Sequence, residues 1–274
     1  MMTTENPART DSAPLYARYP ETVGKVAVVT GAARGMGAVF VEELARRGVH
    51  AVGGDLDGAA MKQLAGQVNE RLTGTEGAAR VFGAEIDVTV AEQHQRLLQT
   101  ALAEFGRVDY WVNNAGIFPQ AEFTEISPEQ LTSTYQVNVN GVAYGAQTAA
   151  RHMREHGGGA IVNMASVAGV RVRATRAAYN SSKAAVRHLT SCMAVELGSD
   201  GIRVNAIAPG FVDTEMTRWV REDPAALERA LSAVPLHRVG APIEVFGALY
   251  FLLSDSARYM TGAVLPVDGG SQHA

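Results

Sequence analysis

Short apolar runs rich in β-branched residues alternate with longer stretches of helical periodicity along almost the whole chain. The first run carries Val26, Val28 and Val29 and suits a parallel strand covered on both faces, where near-continuous apolar residues are favoured. Gly31, Gly35 and Gly37 follow it. Beyond them Met36, Phe40, Val41, Leu44 and Ala45 share one helical face, with Glu42, Glu43 and Arg46 turned away and Gly48 at the end. The same alternation predicts further strands over 51–55, 80–86, 110–113, 160–165, 203–208 and 263–267. It predicts helices over 57–72, 176–198 and 241–254, another capped by Thr89 and closed by Gly106, and one that starts at Ser127-Pro128 and runs unbroken to about Arg154. Residues 211–238 read as helical patches interrupted by Pro224 and Pro235, a pattern that suits a mobile flap over a substrate.

Strands alternating with helices predict an α/β fold: a doubly wound, Rossmann-like parallel sheet of about seven strands with helices on both faces. The expected division is a flexible arm over 1–23, in which Tyr16 and Tyr19 can pack on a neighbouring surface, and a single domain over 24–274. In such a sheet a ligand binds outside the carboxyl ends of the strands, so the residues just after each strand are the ones to inspect.

The bulk numbers narrow the function classes. A chain of 274 residues, 47% hydrophobic and 19% charged, is enough for one sizeable core. With 24 Lys and Arg against 28 Asp and Glu the net charge is −4, so no global basic field favours nucleic acid or anionic lipid. The longest apolar stretch, 246–253, is too short to span a membrane, and the first residues lack the apolar core of a signal peptide. Cys192 is the single cysteine, which implies a reducing, cytoplasmic setting. His152 and His156 lie one helical turn apart, but no glutamate completes a zinc motif and no metal is expected.

The chemistry-bearing residues follow the strands. A strand that feeds a helix through glycines offers N–H groups to an anion, so a pyrophosphate is the natural guest of the loop around Gly31, Gly35 and Gly37. Asp55 ends the second strand, where a carboxylate accepts hydrogen bonds from ribose hydroxyls and repels a 2′-phosphate; NAD is therefore expected over NADP, with Arg34 as a partial counterweight. Asp87 can meet an adenine amino group or cap the following helix. Tyr179 and Lys183 share a helical face, and a nearby ammonium would bring a phenol of pKa about 10 toward a useful value. Ser166 ends the fifth strand, where its hydroxyl can hold a substrate oxygen against that phenol. Asn138 lies inside a helix, an unfavourable place for asparagine, which points to a positioning role.

Together these residues resemble the short-chain dehydrogenase/reductase family in its single-domain branch. The resemblance rests on TGAARGMG ending at Gly37, Asp55, Asp87-Val88, NNAG ending at Gly116, Asn138 in VNVNG, Ser166, Tyr179-x-x-x-Lys183, Pro209-Gly210 with Thr214, and VDGG near the C-terminus. It implies reversible hydride transfer between NAD and a secondary alcohol/ketone pair. Tyr179 would be the general acid/base, Ser166 the oxygen stabiliser, Lys183 the phenol tuner and ribose ligand, and Asn138 the anchor of a proton-relay water. The cofactor would lie along Gly31, Arg34, Gly35, Met36, Gly37, Asp55, Asp87, Val88, Asn114, Ala115, Gly116, Tyr179, Lys183, Pro209, Gly210, Val212 and Thr214. The family habit also implies a homotetramer through the helices carrying Asn138 and Tyr179.

Ala165 stands where the family often has a serine, and Arg171, Arg173 and Arg176 lie between Ser166 and Tyr179. A solvated loop is the preferred reading of those arginines, with an acidic substrate or subunit contacts as the other two. Phe118, Phe211, Met216 and Trp219 are candidates for an apolar substrate pocket. Two other functions compete: an NADP-linked 3-oxoacyl carrier reductase, against which Asp55 counts, and an idle nucleotide-sensing protein, against which the full set Asn138, Ser166, Tyr179 and Lys183 counts.

Overall fold

The computed structural model describes residues 18–274. Seven strands, β1 (Val26–Thr30), β2 (His50–Asp55), β3 (Val81–Glu85), β4 (Tyr110–Asn113), β5 (Gly159–Met164), β6 (Ile202–Pro209) and β7 (Val264–Val267), form one sheet in the order β3-β2-β1-β4-β5-β6-β7. Every pairing is parallel. The helices are α1 (Gly35–Arg46), α2 (Gly58–Leu72), α3 (Ala91–Phe105), α4 (Pro128–Tyr135), α5 (Gly141–Glu155), α6 (Ala177–Leu197), α7 (Arg218–Glu222), α8 (Pro224–Leu231) and α9 (Pro242–Leu253).

The two-residue period of a strand sorts β1 between two cores. Ala27 and Val29 pack with Phe40 and Leu44 of α1, Met61 of α2 and Phe246 and Leu249 of α9. Val28 points the other way, toward Leu97 of α3, Ala149 of α5 and Ala194 of α6. Both faces are thus covered, as the apolar strands require. The chain steps outward from β1 to β3 and then returns to β4 on the other side of β1, so the carboxyl ends of β1 and β4 frame the switch point. There the two strands nearly touch: a Cβ on Gly31, which has φ +65°, would lie 2.7 Å from the Ala115 Cα.

Three local expectations are corrected. The helix expected from Ser127 to about Arg154 is not uniform: α4 and α5 are joined by a π turn over Gln136–Asn140, with Asn138 at its centre. A π turn widens the helix by one residue and re-aims its side chains, and here it turns Asn138 inward. Thr89 does not cap α3. Val90 takes that place, while the Thr89 N–H and hydroxyl donate to Asp87 Oδ1 at 2.9 and 2.7 Å, respectively. Pro224 does not interrupt a helix but starts α8, with Asp223 accepting from the Ala225 and Ala226 N–H groups.

Tyr19 packs on Tyr250, ring centroids 4.9 Å apart, and the buried Thr22 hydroxyl lies 2.9 Å from the Tyr250 hydroxyl. Residues 1–17 of the arm, including Tyr16, fall outside the described residues.

Candidate active site

The cleft starts at Thr30, the last residue of β1. Its buried hydroxyl accepts from the N–H groups of Asn114 and Ala115, both at 3.2 Å, and Asn114 Nδ2 donates to the carbonyls of Thr30 and Gly31 at 3.0 and 2.8 Å. The NNAG turn is thereby stitched to the glycine loop. Gly37 closes the packing, since a Cβ there would lie 2.1 Å from the Gly31 carbonyl oxygen. Gly35 is different: its φ is +57° and the nearest atoms to a Cβ belong to Thr214, 3.9 Å away across the cleft. No side chain caps α1, so the N–H groups of its first turn face that opening. These features fit a dinucleotide pyrophosphate between Gly35 and Thr214.

Asp55 is buried at the end of β2. Its two oxygens accept from the Ala33 N–H at 2.9 Å and the Asp57 N–H at 3.1 Å, which ties the carboxylate to the glycine loop. Arg34 points elsewhere, toward Glu215 at 3.6 Å. Asp87 orders the turn before α3 through Thr89, and Val88 packs against Gly141 beside the π turn. Pro209 ends β6, and Gly210 lies against Asp268, where a Cβ would come within 2.7 Å. Val212 is buried and bridges to Gly240, placing Thr214 opposite the glycine loop.

The four chemistry residues converge at the carboxyl end of β5. Ser166 follows that strand, and its Oγ accepts from the Ala168 N–H at 3.1 Å. The Tyr179 phenol faces it from α6. Burial pushes this phenol above its usual range, while the Ser166 hydroxyl and the charge of Arg176 pull it partly back. Lys183 is itself buried, with Nζ 5.8 Å from the Tyr179 ring centroid, and burial pulls its ammonium down to about 8. Nζ donates to the Met164 carbonyl at 2.8 Å.

Asn138 does not face open space either. Its Oδ1 accepts the Ile117 N–H at 2.9 Å, and its Nδ2 donates to the Ile117 carbonyl at 3.0 Å and to Ser182 Oγ at 3.1 Å. Ser182 in turn donates to the Tyr179 carbonyl at 2.8 Å, so a continuous chain of contacts runs from the NNAG turn to the helix carrying the phenol. Ser182 carried no signal in the sequence. A second buried network was missed for the same reason: Trp111 Nε1 donates to Asn113, Asn113 to Asn163, and Asn163 to Thr190, all at 2.9 to 3.0 Å, joining β4, β5 and α6.

Phe118, Phe211 and Trp219 line a cavity of about 230 Å³ together with Arg173, Arg176 and Arg229. Met216 is not part of its wall. Phe118 meets Tyr179 edge to face with centroids 4.6 Å apart, so one wall residue of the cavity touches the ring of Tyr179. Neither this cavity nor a larger hollow of about 290 Å³ behind Phe211, lined by Val212 and the end of β7, is lined by any of the four chemistry residues. Of the three arginines expected in a solvated loop, Arg173 and Arg176 are half-buried in the cavity wall, and Arg171 donates to the carbonyls of Ala233 and Ser271 at 3.1 and 2.5 Å. His152 and His156 stack at 4.0 Å between centroids, and among the described residues no group of three or more His, Cys, Asp or Glu could hold a metal ion. No helix among them is long and apolar enough to cross a membrane.

Comparisons with known proteins agree with this geometry. A family model described as enoyl-(acyl carrier protein) reductase matches residues 31–272. The chain is 39% identical to cis-4-hydroxycyclohexanecarboxylate dehydrogenase of Sinomonas cyclohexanicum over 247 residues, covering 90% of this chain and 96% of the relative. It is 38% identical to an L-rhamnose 1-dehydrogenase (NAD(P)(+)) of Azotobacter vinelandii, covering 90% and 96%. Among solved structures, a short-chain type dehydrogenase/reductase from Mycobacterium marinum superposes with a TM-score of 0.85 at 32% identity, covering 92% of this chain and 97% of that one. A gluconate 5-dehydrogenase from Burkholderia cenocepacia, in complex with NADP and tartrate, gives 0.85 at 34% identity, with 92% and 96% covered. The seven-stranded parallel sheet, the glycine cradle and the cluster around Tyr179 thus have one common source: the chain belongs to the short-chain dehydrogenase/reductase family and interconverts an alcohol and a ketone with a nicotinamide cofactor.

Proposed function

We propose that the protein acts on a secondary alcohol/ketone pair with NAD(H), Tyr179 being the general acid/base. The observation that carries this reading is the Ser166 hydroxyl set against the Tyr179 phenol at the end of β5. In oxidation the phenolate takes the substrate hydroxyl proton, and in reduction the phenol returns one to the carbonyl oxygen, with Ser166 steadying that oxygen in both directions. When bound, the nicotinamide accepts hydride in oxidation and donates it in reduction. Lys183, anchored on Met164, would meet a ribose hydroxyl, and Asn138 positions the turn at Ile117.

Gly31, Arg34, Gly35, Met36 and Gly37 would form the pyrophosphate loop, and Asp87 and Val88 the adenine edge. Asn114, Ala115 and Gly116 would border the middle of the cofactor, and Pro209, Gly210, Val212 and Thr214 its nicotinamide end. Asp55 supports NAD, because a buried carboxylate already fixed by two N–H groups repels a 2′-phosphate, while Arg34 faces Glu215 instead. Two of the named relatives act on hydroxyls of a cyclohexane and a sugar, which supports a cyclic substrate under the segment 211–238. A homotetramer built on α5 and α6 and a cytoplasmic setting complete the reading; light scattering tests the former.

Tyr179→Phe is expected to lower turnover by about 10²- to 10⁴-fold while NAD binding persists. Wild-type turnover in that variant would remove Tyr179 from the chemistry. Comparing kcat/KM for NAD and NADP on one alcohol tests Asp55, and an NADP preference would overturn its role.

A further inference from the structure

Arg173 and Arg176 share a cavity wall without an anion between them. Neither forms an ion pair among the described residues, and no aspartate or glutamate lines the cavity. The Arg176 Nε is buried with no hydrogen-bond partner. Its guanidinium lies over two rings, 4.9 Å from the Phe118 centroid and 5.9 Å from that of Trp219. Burial and the neighbouring Arg173 both press the Arg176 guanidinium below its ordinary range. Two half-buried like charges are costly where nothing neutral or negative offsets them. Elsewhere the chain does supply such partners: Arg238 meets Glu244 at 2.6 Å and Arg154 meets Asp200 at 2.8 Å. The cavity wall therefore has a charge requirement that the described residues leave unmet.

The position of this charge is informative. Phe118 touches both Tyr179 and Arg176, so one aromatic ring joins the residue carrying the phenol to the guanidinium. We propose that Arg176 and Arg173 bind the carboxylate of a ring-containing hydroxy acid whose hydroxyl lies at Tyr179. This rests on the assignment of Tyr179 above and names the substrate class for that site. Phe118, Phe211 and Trp219 supply apolar walls for the ring, and a planar carboxylate matches the free edge of a stacked guanidinium.

The test has a binding arm and a turnover arm. Cyclohexanecarboxylate and its carboxamide are titrated into the protein with NADH and followed by calorimetry. The acid is expected to bind at least about tenfold tighter than the amide, with that ratio collapsing toward one in Arg176→Met and partly retained in Arg176→Lys, which keeps the charge. In turnover, 4-hydroxycyclohexanecarboxylate is compared with its methyl ester, and the acid-to-ester ratio of kcat/KM should fall by a similar factor in Arg176→Met. Equal binding of acid and amide, or an acid preference that survives Arg173→Met/Arg176→Met, overturns the inference. Tyr179→Phe separates the two claims: if active it overturns the Tyr179 assignment, while the binding arm still reads the arginines. Melting curves confirm that each variant is folded.

Discussion

Asn138 closes both hydrogen bonds on the backbone of Ile117, accepting its N–H at 2.9 Å and donating to its carbonyl at 3.0 Å. A side-chain amide that pairs with a backbone amide in this way acts as a strand-like neighbour for one residue. It fixes the turn after β4, and through Ser182 it touches the helix that carries Tyr179. The π turn is the device that makes this reach possible, since a regular helix would present position 138 at a different angle.

Asn138→Ala should therefore loosen the Ile117 turn without creating a large cavity. Ile117 is partly exposed, so water can replace some of the lost bonds, and a stability loss of about 1–2 kcal/mol is expected. For a chain of this size that is a Tm decrease of roughly 3–6 °C. Scanning calorimetry checks it, and an unchanged Tm would show that the turn holds itself.

The two glycines of the cofactor loop should separate stability from binding. In Gly37→Ala the new Cβ meets the Gly31 carbonyl oxygen at 2.1 Å and Asn114 Nδ2 at 2.7 Å, so the β1 and β4 ends must part. A loss of about 1–3 kcal/mol is expected, as for other overpacked sites. In Gly35→Ala the Cβ enters open space, so the fold loses only the backbone cost of φ +57°, about 1–2 kcal/mol. The methyl group then occupies the opening toward Thr214, and NAD affinity should fall more than stability does. Paired melting and NAD titrations read this, and the reverse ranking would contradict the geometry.

Lys183 makes stability depend on pH. Its folded-state pKa of about 8 lies below the ordinary 10.5, so between these values the unfolded chain binds the extra proton. Stability from this group is thus lowest below pH 8 and rises as pH increases toward 10.5, by about 3 kcal/mol in all at 1.36 kcal/mol per unit. The Tm of the wild type relative to Lys183→Met should climb through that window. A flat difference would mean that the ammonium is better solvated than its position against Met164 implies.

Much of this was legible without coordinates. The apolar runs of β1 and β4, the glycines before α1 and the Ser127-Pro128 start of α4 are signals whose cause lies within a few residues. So is the Tyr179 and Lys183 pair, since one helical turn is a local distance. The division of β1 into Ala27 and Val29 on one side and Val28 on the other also follows from strand geometry alone. What the chain order could not carry was any property set by what packs opposite. The burial of the Tyr179 phenol and of the Lys183 ammonium is such a property, because it depends on the whole assembled sheet and α6.

The sequence by itself determined the alternation of strands and helices, the glycine turn after β1 and the residue types that line the carboxyl ends of the strands. These rest on backbone conformation and side-chain period, which act over one or two turns. The tertiary structure alone decided the π turn at Asn138, the engagement of Arg34 with Glu215, and the removal of Arg173 and Arg176 from solvent onto the cavity of Phe118 and Trp219. Each of these pairs residues far apart in the chain, and only the sheet order that brings β4, β5 and β6 side by side lets such contacts form.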